Sequence, residues 1–363
     1  MMILIKIQMN LKIVLMCNMI ADIIAYCNVP SMSIYPNRRE VLSYGTSVAL
    51  LPVSKLNQHV SIIGANGGTG RECARLLAED GQYVKAISRN PLILDDSRLN
   101  KYIEPVQLDI KDRDNVQYLS NHIKGSSAVF FLANAKRNQR YIKSDTDEFQ
   151  NYEDIDIFGL QAVVASCIMH KVQHLVYVSA SCKSCMTDDA SQNDKISGIE
   201  CENCLSKQVG ENIIKKCYES NYAQGLGYTI IRIGFLMNGE NRGVKELELN
   251  QDYTKSGIIS RTDLASLCIA STKYPQTKKT TFEAYYRDST QPYDVKESLS
   301  KCTGLGKSVE ECFFGSEYKD KKPQSLEELR KKSVKGSLFT TGNEYNGNTW
   351  DELFKDLQAD KQI

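Results

Sequence analysis

The sequence is short of net charge: 45 Lys and Arg face 44 Asp and Glu over 363 residues, leaving +1 at pH 7. A chain so balanced carries no electrostatic footprint for nucleic acid or an acidic polymer, and neither is expected as a partner. Long apolar runs are missing too. The nearest to one, Ile13 to Ile24, is interrupted by Asn18 and Asp22, too short and too broken for a membrane span. A phosphate loop of the Walker type is absent as well. Thr303-Gly-Leu-Gly-Lys-Ser308 has the right ending, but Lys301 stands where the first glycine belongs and no strong strand precedes it. Cysteine is not scarce, at twelve, yet the chain is too long for a small secreted disulfide scaffold, so the placement of the thiols matters more than their number. What remains, with 42% hydrophobic and 25% charged residues, is globular material sufficient for one sizeable core and a small appendage.

Against those absences stands one dense local signal, Val60 to Pro91, VSIIGANGGTGRECARLLAEDGQYVKAISRNP. Val60, Ile62 and Ile63 predict a strand, Gly64, Gly67 and Gly70 a glycine turn, and the stretch after them a helix leading to a second strand, Tyr83 to Ser88. This is the βαβ unit of a dinucleotide site. Gly64 permits the turn, Gly67 lets backbone amides approach a diphosphate, and Gly70 lets the helix pack on the strand. Asn66, Gly68 and Thr69 lie in the same turn, at the helix end whose free N–H groups face the phosphates. The second strand closes on Ser88 and Arg89, with no Asp or Glu where an NAD enzyme would hold the ribose hydroxyls. A guanidinium suits a 2′-phosphate, and one charge-assisted hydrogen bond is worth roughly 1.5–3 kcal/mol, so NADP is expected over NAD. A solvated arginine at a strand end is the plain alternative.

Gly64-Ala65-Asn66-Gly67-Gly68-Thr69-Gly70 followed by Ser88-Arg89-Asn90-Pro91 resembles the atypical short-chain dehydrogenase/reductases of the NAD(P)H-binding group. That group includes NmrA-like and biliverdin-IXβ-reductase-like enzymes and plastid proteins related to a protein-import component. The resemblance runs from about Val60 to about Phe282 and departs from the usual pattern at Asn66, where threonine is common. It implies an α/β fold with a doubly wound parallel Rossmann-like sheet.

The chain continues in that alternation. Ile103 to Leu108 predicts a third strand, Lys111 to Lys124 a surface helix, and Ala128 to Leu132 a fourth strand. The resemblance puts Asp109 and Ile110 beside the adenine and Ala133 and Asn134 near the nicotinamide ribose; turn chemistry alone is the alternative for Asp109 and Asn134. Asp147 to His170 reads as a helix with one apolar face for the sheet and acidic residues at its start. Leu175 to Ser179 is the fifth strand. In the better-known short-chain dehydrogenases a serine just beyond this strand and a Tyr-x-x-x-Lys helix move the proton. Here Ser179 and Ser181 are the serine candidates and Lys207 the lysine, and Ser181 and Lys207 are the expected catalytic pair.

The tyrosine is missing. Asn203 stands four residues before Lys207, and an amide cannot release a proton at useful pH. Lys207 and Glu211 still match the family's K-x-x-x-E helix, which implies a lysine holding the nicotinamide ribose, with Lys207, a water or the substrate left as proton donor. The competing reading of Lys207 is an exposed helix cation paired with Glu211 at i, i+4. Cys182 and Cys185, then Cys201 and Cys204 after a fifteen-residue gap, have the spacing of a four-thiolate zinc site; disulfides and free thiols are the alternatives. Gly225 to Gly234 is the sixth strand, after which Gly234, Phe235 and Leu236 would border the nicotinamide and substrate pocket, or be plain core. Ile258 to Ala265 resembles the start of the family's penultimate helix, with Asp263 expected as a cap. Thr281 to Tyr286 is a late strand.

Three regions follow: a targeting leader at 1–54, a nucleotide-binding domain at 55–290 and a C-terminal extension, helical in character, at 291–363. In the leader an apolar run is followed by Asn37-Arg38-Arg39 and a second mildly apolar stretch, which resembles the layered leaders of proteins sent to plastids with extra membranes. Stroma and thylakoid lumen both remain open, and a single secretory signal is the alternative. In the extension Trp350, Leu353, Phe354 and Leu357 share one helical face, which either folds back on the core or docks on a partner such as a photosynthetic complex. The expected function is an NADP-dependent reductase of a small organic substrate; a non-catalytic nucleotide-binding scaffold or assembly factor is the second reading.

Overall fold

The computed structural model describes residues 58–134, 154–181, 201–251, 255–292, 295–314 and 343–361. The expected leader, Cys182, Cys185 and residues 315–342 of the C-terminal extension lie outside the described residues. The strands are β1 (His59–Ile63), β2 (Val84–Ser88), β3 (Ile103–Gln107), β4 (Ser126–Phe131), β5 (His174–Ala180), β6 (Gly227–Ile233), β7 (Phe235–Met237), β8 (Leu247–Asn250), β9 (Lys255–Ser256), β10 (Ile258–Ser260), β11 (Thr280–Tyr286), β12 (Gln291–Pro292) and β13 (Glu344–Tyr345). The helices are α1 (Gly68–Glu79), α2 (Val116–Ile123), α3 (Leu160–Met169), α4 (Cys201–Glu219), α5 (Arg261–Ser271), α6 (Val295–Gly304), α7 (Val309–Phe314) and α8 (Trp350–Phe354), and a π-helical turn, Asp154–Gly159, leads into α3.

The main sheet has nine strands in the order β13-β8-β11-β6-β5-β4-β1-β2-β3. From β3 through β1 and β4 to β6 and β11 every pairing is parallel; β8 and β13 add an antiparallel edge. This is the doubly wound Rossmann-like arrangement, and the strand order reverses between β1 and β4, the place where such sheets bind ligands. Both faces of the sheet are covered, so its inner strands are near-continuously apolar, and successive side chains feed opposite cores. Ile62 and Phe130 join the core under α1 and α5, while Ile63 and Phe131 join the core with α2, α3 and α4.

Two expectations change. The helix read from Asp147 to His170 begins, among the described residues, with the π turn, and α3 is buried from Leu160 through Ile168 instead of on one face. The cause is its position: α2 and α4 flank it while the sheet lies beneath. The C-terminal extension is also more than helical. Its β13 joins the main sheet against β8, and Leu353, Phe354 and Leu357 enter the same core as α1. Thr349 caps α8 by accepting from the Glu352 amide, and buried Lys255 holds the strand through Glu248 at 2.9 Å and Glu344 at 2.6 Å. The apolar face at 349–358 is therefore covered by its own domain. Cys302 and Cys312 form a disulfide joining α6 and α7. Among the described residues no helix is long and apolar enough to cross a membrane.

Candidate functional site

The site grows from the switch point. Gly64 follows β1 with φ +85°, and a Cβ there would fall 2.6 Å from the amide nitrogen of Ala133, which follows β4. Only glycine lets the two strand ends approach this closely. Gly70 serves the back of the turn, where a Cβ would strike the Gly64 carbonyl and lie 2.8 Å from Ala65 Cα. Gly67 is the N-cap of α1, with no side-chain cap and no acidic residue in the first turn. The helix therefore presents bare N–H groups and its positive end to a cavity of about 350 Å³.

That cavity is lined by Gly64, Asn66, Gly67, Gly68 and Thr69 from the turn, Ser88 and Arg89 from the end of β2, Asp109 and Ile110 after β3, and Ala133 and Asn134 after β4. Of the expected nucleotide residues at this end, only Gly70 stands behind the wall. Arg89 forms no hydrogen bond or ion pair with another described residue, which leaves its guanidinium available to a phosphate. Asp109 accepts from the Lys111 amide at 3.1 Å, so the turn reading holds for it even as it lines the cavity. Arg71 steadies the turn by donating to Asn66 Oδ1 at 2.7 Å.

A second cavity, about 380 Å³, opens on the other side of Ala133 and Asn134. Ser179, Lys207, Gly234 and Phe235 line it, with Asn203 in the tyrosine position. Lys207 is neither exposed nor paired with Glu211. Its side chain is 6% exposed and its ammonium donates to Asp156 Oδ1 at 2.9 Å and to the Val178 carbonyl at 3.4 Å. The partner arrives because α4 approaches the π turn at Gly210, where a Cβ would lie 2.8 Å from both the Asp156 carbonyl and the Tyr177 hydroxyl. Glu211 turns instead to Arg232, at 2.7 Å, and accepts from Ser179 Oγ at 2.6 Å. Arg232 also reaches Glu283 at 3.0 Å.

Burial pushes the Asp156 carboxyl above the usual range, with Lys207 pulling the other way. At Glu211 burial again pushes upward, but Arg232 and the Ser179 hydroxyl outweigh it and hold the carboxyl below its ordinary value. Two acids a few residues from the same cavity are thus driven in opposite directions. Asn203 is buried and its Oδ1 has no partner. A buried polar atom left open toward a cavity is where a ligand hydrogen bond belongs.

Ser181 does not line either cavity. Its amide donates to the Ile233 carbonyl at 2.8 Å, and its buried hydroxyl is unpartnered. Asp263 is not the cap of α5. Ser260 caps it at 3.0 Å, and Asp263 accepts from the amides of Arg242 and Gly243. Cys204 is buried and disulfide-bonded, which removes its thiolate from any zinc set in this structure. The side chain of Cys201, like Cys182 and Cys185, lies outside the described residues, and no metal-binding cluster occurs among the described ones. Sequence reasoning missed Asp156 as the partner of Lys207, and Arg261, which lines both cavities.

Fold and crevice together define a Rossmann-type nucleotide-binding protein of the oxidoreductase-like kind. The chain belongs to the NAD(P)H-binding family, whose model matches residues 64–275. Solved structures with a similar fold include the oxidoreductase ylbE from Lactococcus lactis, 15% identical, covering 63% of this chain and 90% of its own at a TM-score of 0.48. A Rossmann-fold NAD(P)-binding family protein from Shigella flexneri is 17% identical and covers 63% of this chain and 93% of its own, TM-score 0.43. A short-chain dehydrogenase/reductase superfamily protein from Agrobacterium tumefaciens, solved with bound NAD, is 15% identical and covers 68% and 83%, TM-score 0.45. A comparison with curated proteins finds no match.

Proposed function

We propose that the protein is an NADP-dependent reductase of a small, largely apolar organic substrate, working in a plastid. The observation that carries this reading is the pair of adjoining cavities with shared lining residues: one includes Arg89, unpaired among the described residues, and the other brings Lys207 and Asn203 to an apolar wall of Ile233, Phe235 and Leu236. Arg89, which makes no ion pair with a described residue, favours the 2′-phosphate of NADP. The glycine turn and the α1 N-terminus fit the diphosphate. Bound there, the cofactor would supply a hydride from its nicotinamide ring.

The chain's own residues do the rest. Lys207 carries three hydrogens; Asp156 and Val178 take two and fix the ammonium, leaving the third for the nicotinamide ribose or a substrate oxygen. Asn203 orients substrate through its open amide, and Phe235, 40% exposed at the mouth, offers a flat apolar face. Asn203 cannot act as the acid that tyrosine provides, so the proton on the substrate comes from Lys207 or from water.

That same substitution supports a second reading, a nucleotide-binding scaffold without turnover. The experiment is NADPH oxidation by the purified chain against a panel of carbonyl and quinone compounds. Turnover dependent on Lys207 supports the reductase; tight NADPH binding with none across the panel selects the scaffold. The plastid address rests on residues 1–54, and a fluorescent fusion of that leader tests it independently.

A further inference from the structure

Arg261 belongs to no motif of the glycine turn, yet its side chain lies across it. The three atoms nearest to a Cβ placed on Gly68 are all its own: Cδ at 2.6 Å, Nε at 2.7 Å and Cζ at 3.7 Å. It also lines both cavities, which otherwise share Thr69, Leu132, Ala133, Asn134 and Leu236. Arg261 therefore stands at the neck between the end carrying Arg89 and the end carrying Lys207. Its place is fixed from two sides. It is the first residue of α5, directly after the Ser260 cap, and its Nη1 donates to Asn238 Oδ1 at 2.6 Å. It forms no ion pair with a described residue, and its hydrogen-bond partner among them is a neutral amide. A half-buried guanidinium held still, uncompensated and facing bare helix amides is a site for an anion that bridges the two cavities.

We infer that Arg261 binds the cofactor diphosphate, closing from α5 a phosphate clamp whose other jaw is the N-terminus of α1. The inference rests on the nucleotide reading proposed above. It explains why position 68 is glycine: any side chain there would displace the Arg261 stem. It also gives the packing of α5 on α1 a functional consequence, because the two helices together set the width of the clamp.

The test is calorimetry on the full chain with NADPH, NADH and 2′-AMP, comparing wild type with R261A and R261K at low and high salt. 2′-AMP keeps the adenine and the 2′-phosphate but has no diphosphate. R261A should weaken NADPH and NADH by about ten- to a hundredfold and change 2′-AMP by less than about twofold. It should also flatten the salt dependence of NADPH binding. R261K, which keeps the charge without the planar fork, should fall between, and it carries the test if R261A does not fold. If both variants bind NADPH as tightly as wild type, or if NADPH and 2′-AMP lose affinity equally, the inference is overturned while the nucleotide reading stands. If wild type itself binds no pyridine nucleotide, it is the nucleotide reading that has failed.

Discussion

The two ends of the crevice are built by different physics. At the Arg89 end the wall is built chiefly on a glycine turn, a helix N-terminus and strand ends between Ile63 and Asn134, with Ile155, Leu236 and Arg261 added from later elements. At the Lys207 end it is held by buried charges from distant elements, with Asp156, Lys207, Glu211, Arg232 and Glu283 linked in two adjacent networks. Backbone geometry is inexpensive to maintain once the right glycines are present. A buried ion pair is not, because each ion has lost its water and depends wholly on its partner. The first end should therefore tolerate side-chain changes and be sensitive to backbone ones, and the second should behave the opposite way.

The strongest way to break that contrast is to remove one member of the Lys207–Asp156 pair. K207M leaves a carboxylate that is 0% exposed without its cation and should cost about 3–5 kcal/mol in denaturant unfolding, more at high pH than at low. K207M combined with D156N, which removes both charges, should recover part of the loss. A cost below about 1 kcal/mol for K207M would mean the pair is solvated and the contrast wrong.

A smaller effect comes from the opposite end of β5. Burial, with Lys278 adding to it, lowers His174 to about 4, and its neutral ring meets Thr229 Oγ1 at 2.8 Å, whose own hydroxyl donates to the Thr277 carbonyl. The folded state here holds fewer protons than the unfolded state between pH 4 and 6.5. Stability contributed by the neutral ring is thus present above pH 6.5 and lost as pH falls toward 4, on the order of 3 kcal/mol across the window. His59, His122 and His170 are lowered too and act in the same direction, so the quantity to measure is the difference between wild type and H174Q in urea midpoints at pH 7.5 and 4.5. Parallel pH profiles would remove His174 as the cause.

What the sequence revealed follows the same division. The turn, its helix and the strands around it were legible because glycine and apolar patterning act within a few residues, and β1, β2 and β6 fall within a residue or two of where the pattern puts them. Lys207 could be found through the resemblance, but its partner could not. An i, i+4 rule chose Glu211, whereas the ammonium meets Asp156, 51 residues away. Asp156 was not singled out within the helix read from Asp147 to His170, and a 3.6-residue period gives no sign of the π turn that carries it. Arg261 had been absorbed into a helix-start motif, and nothing local says that its stem crosses the glycine turn. Ser181, expected beside Lys207 from its place after a strand, lines neither cavity, because position after a strand fixes where the backbone goes and not what its side chain meets.

The Arg89 end supplies the sharper half of the comparison. Gly64→Ala adds one methyl against the Ala133 backbone at a positive φ, so it should cost on the order of 1–3 kcal/mol of strain and weaken every pyridine nucleotide alike. Arg89→Ala touches no described partner, so unfolding should be unchanged, while the preference for NADPH over NADH should fall at least about tenfold. The two variants separate scaffold from recognition in one cavity: the first acts through the main chain on both cofactors, the second through a single guanidinium on one phosphate. An unchanged NADPH to NADH ratio in R89A would make Arg89 a solvated strand end, and no side chain at the end of β2 would then tell the two cofactors apart.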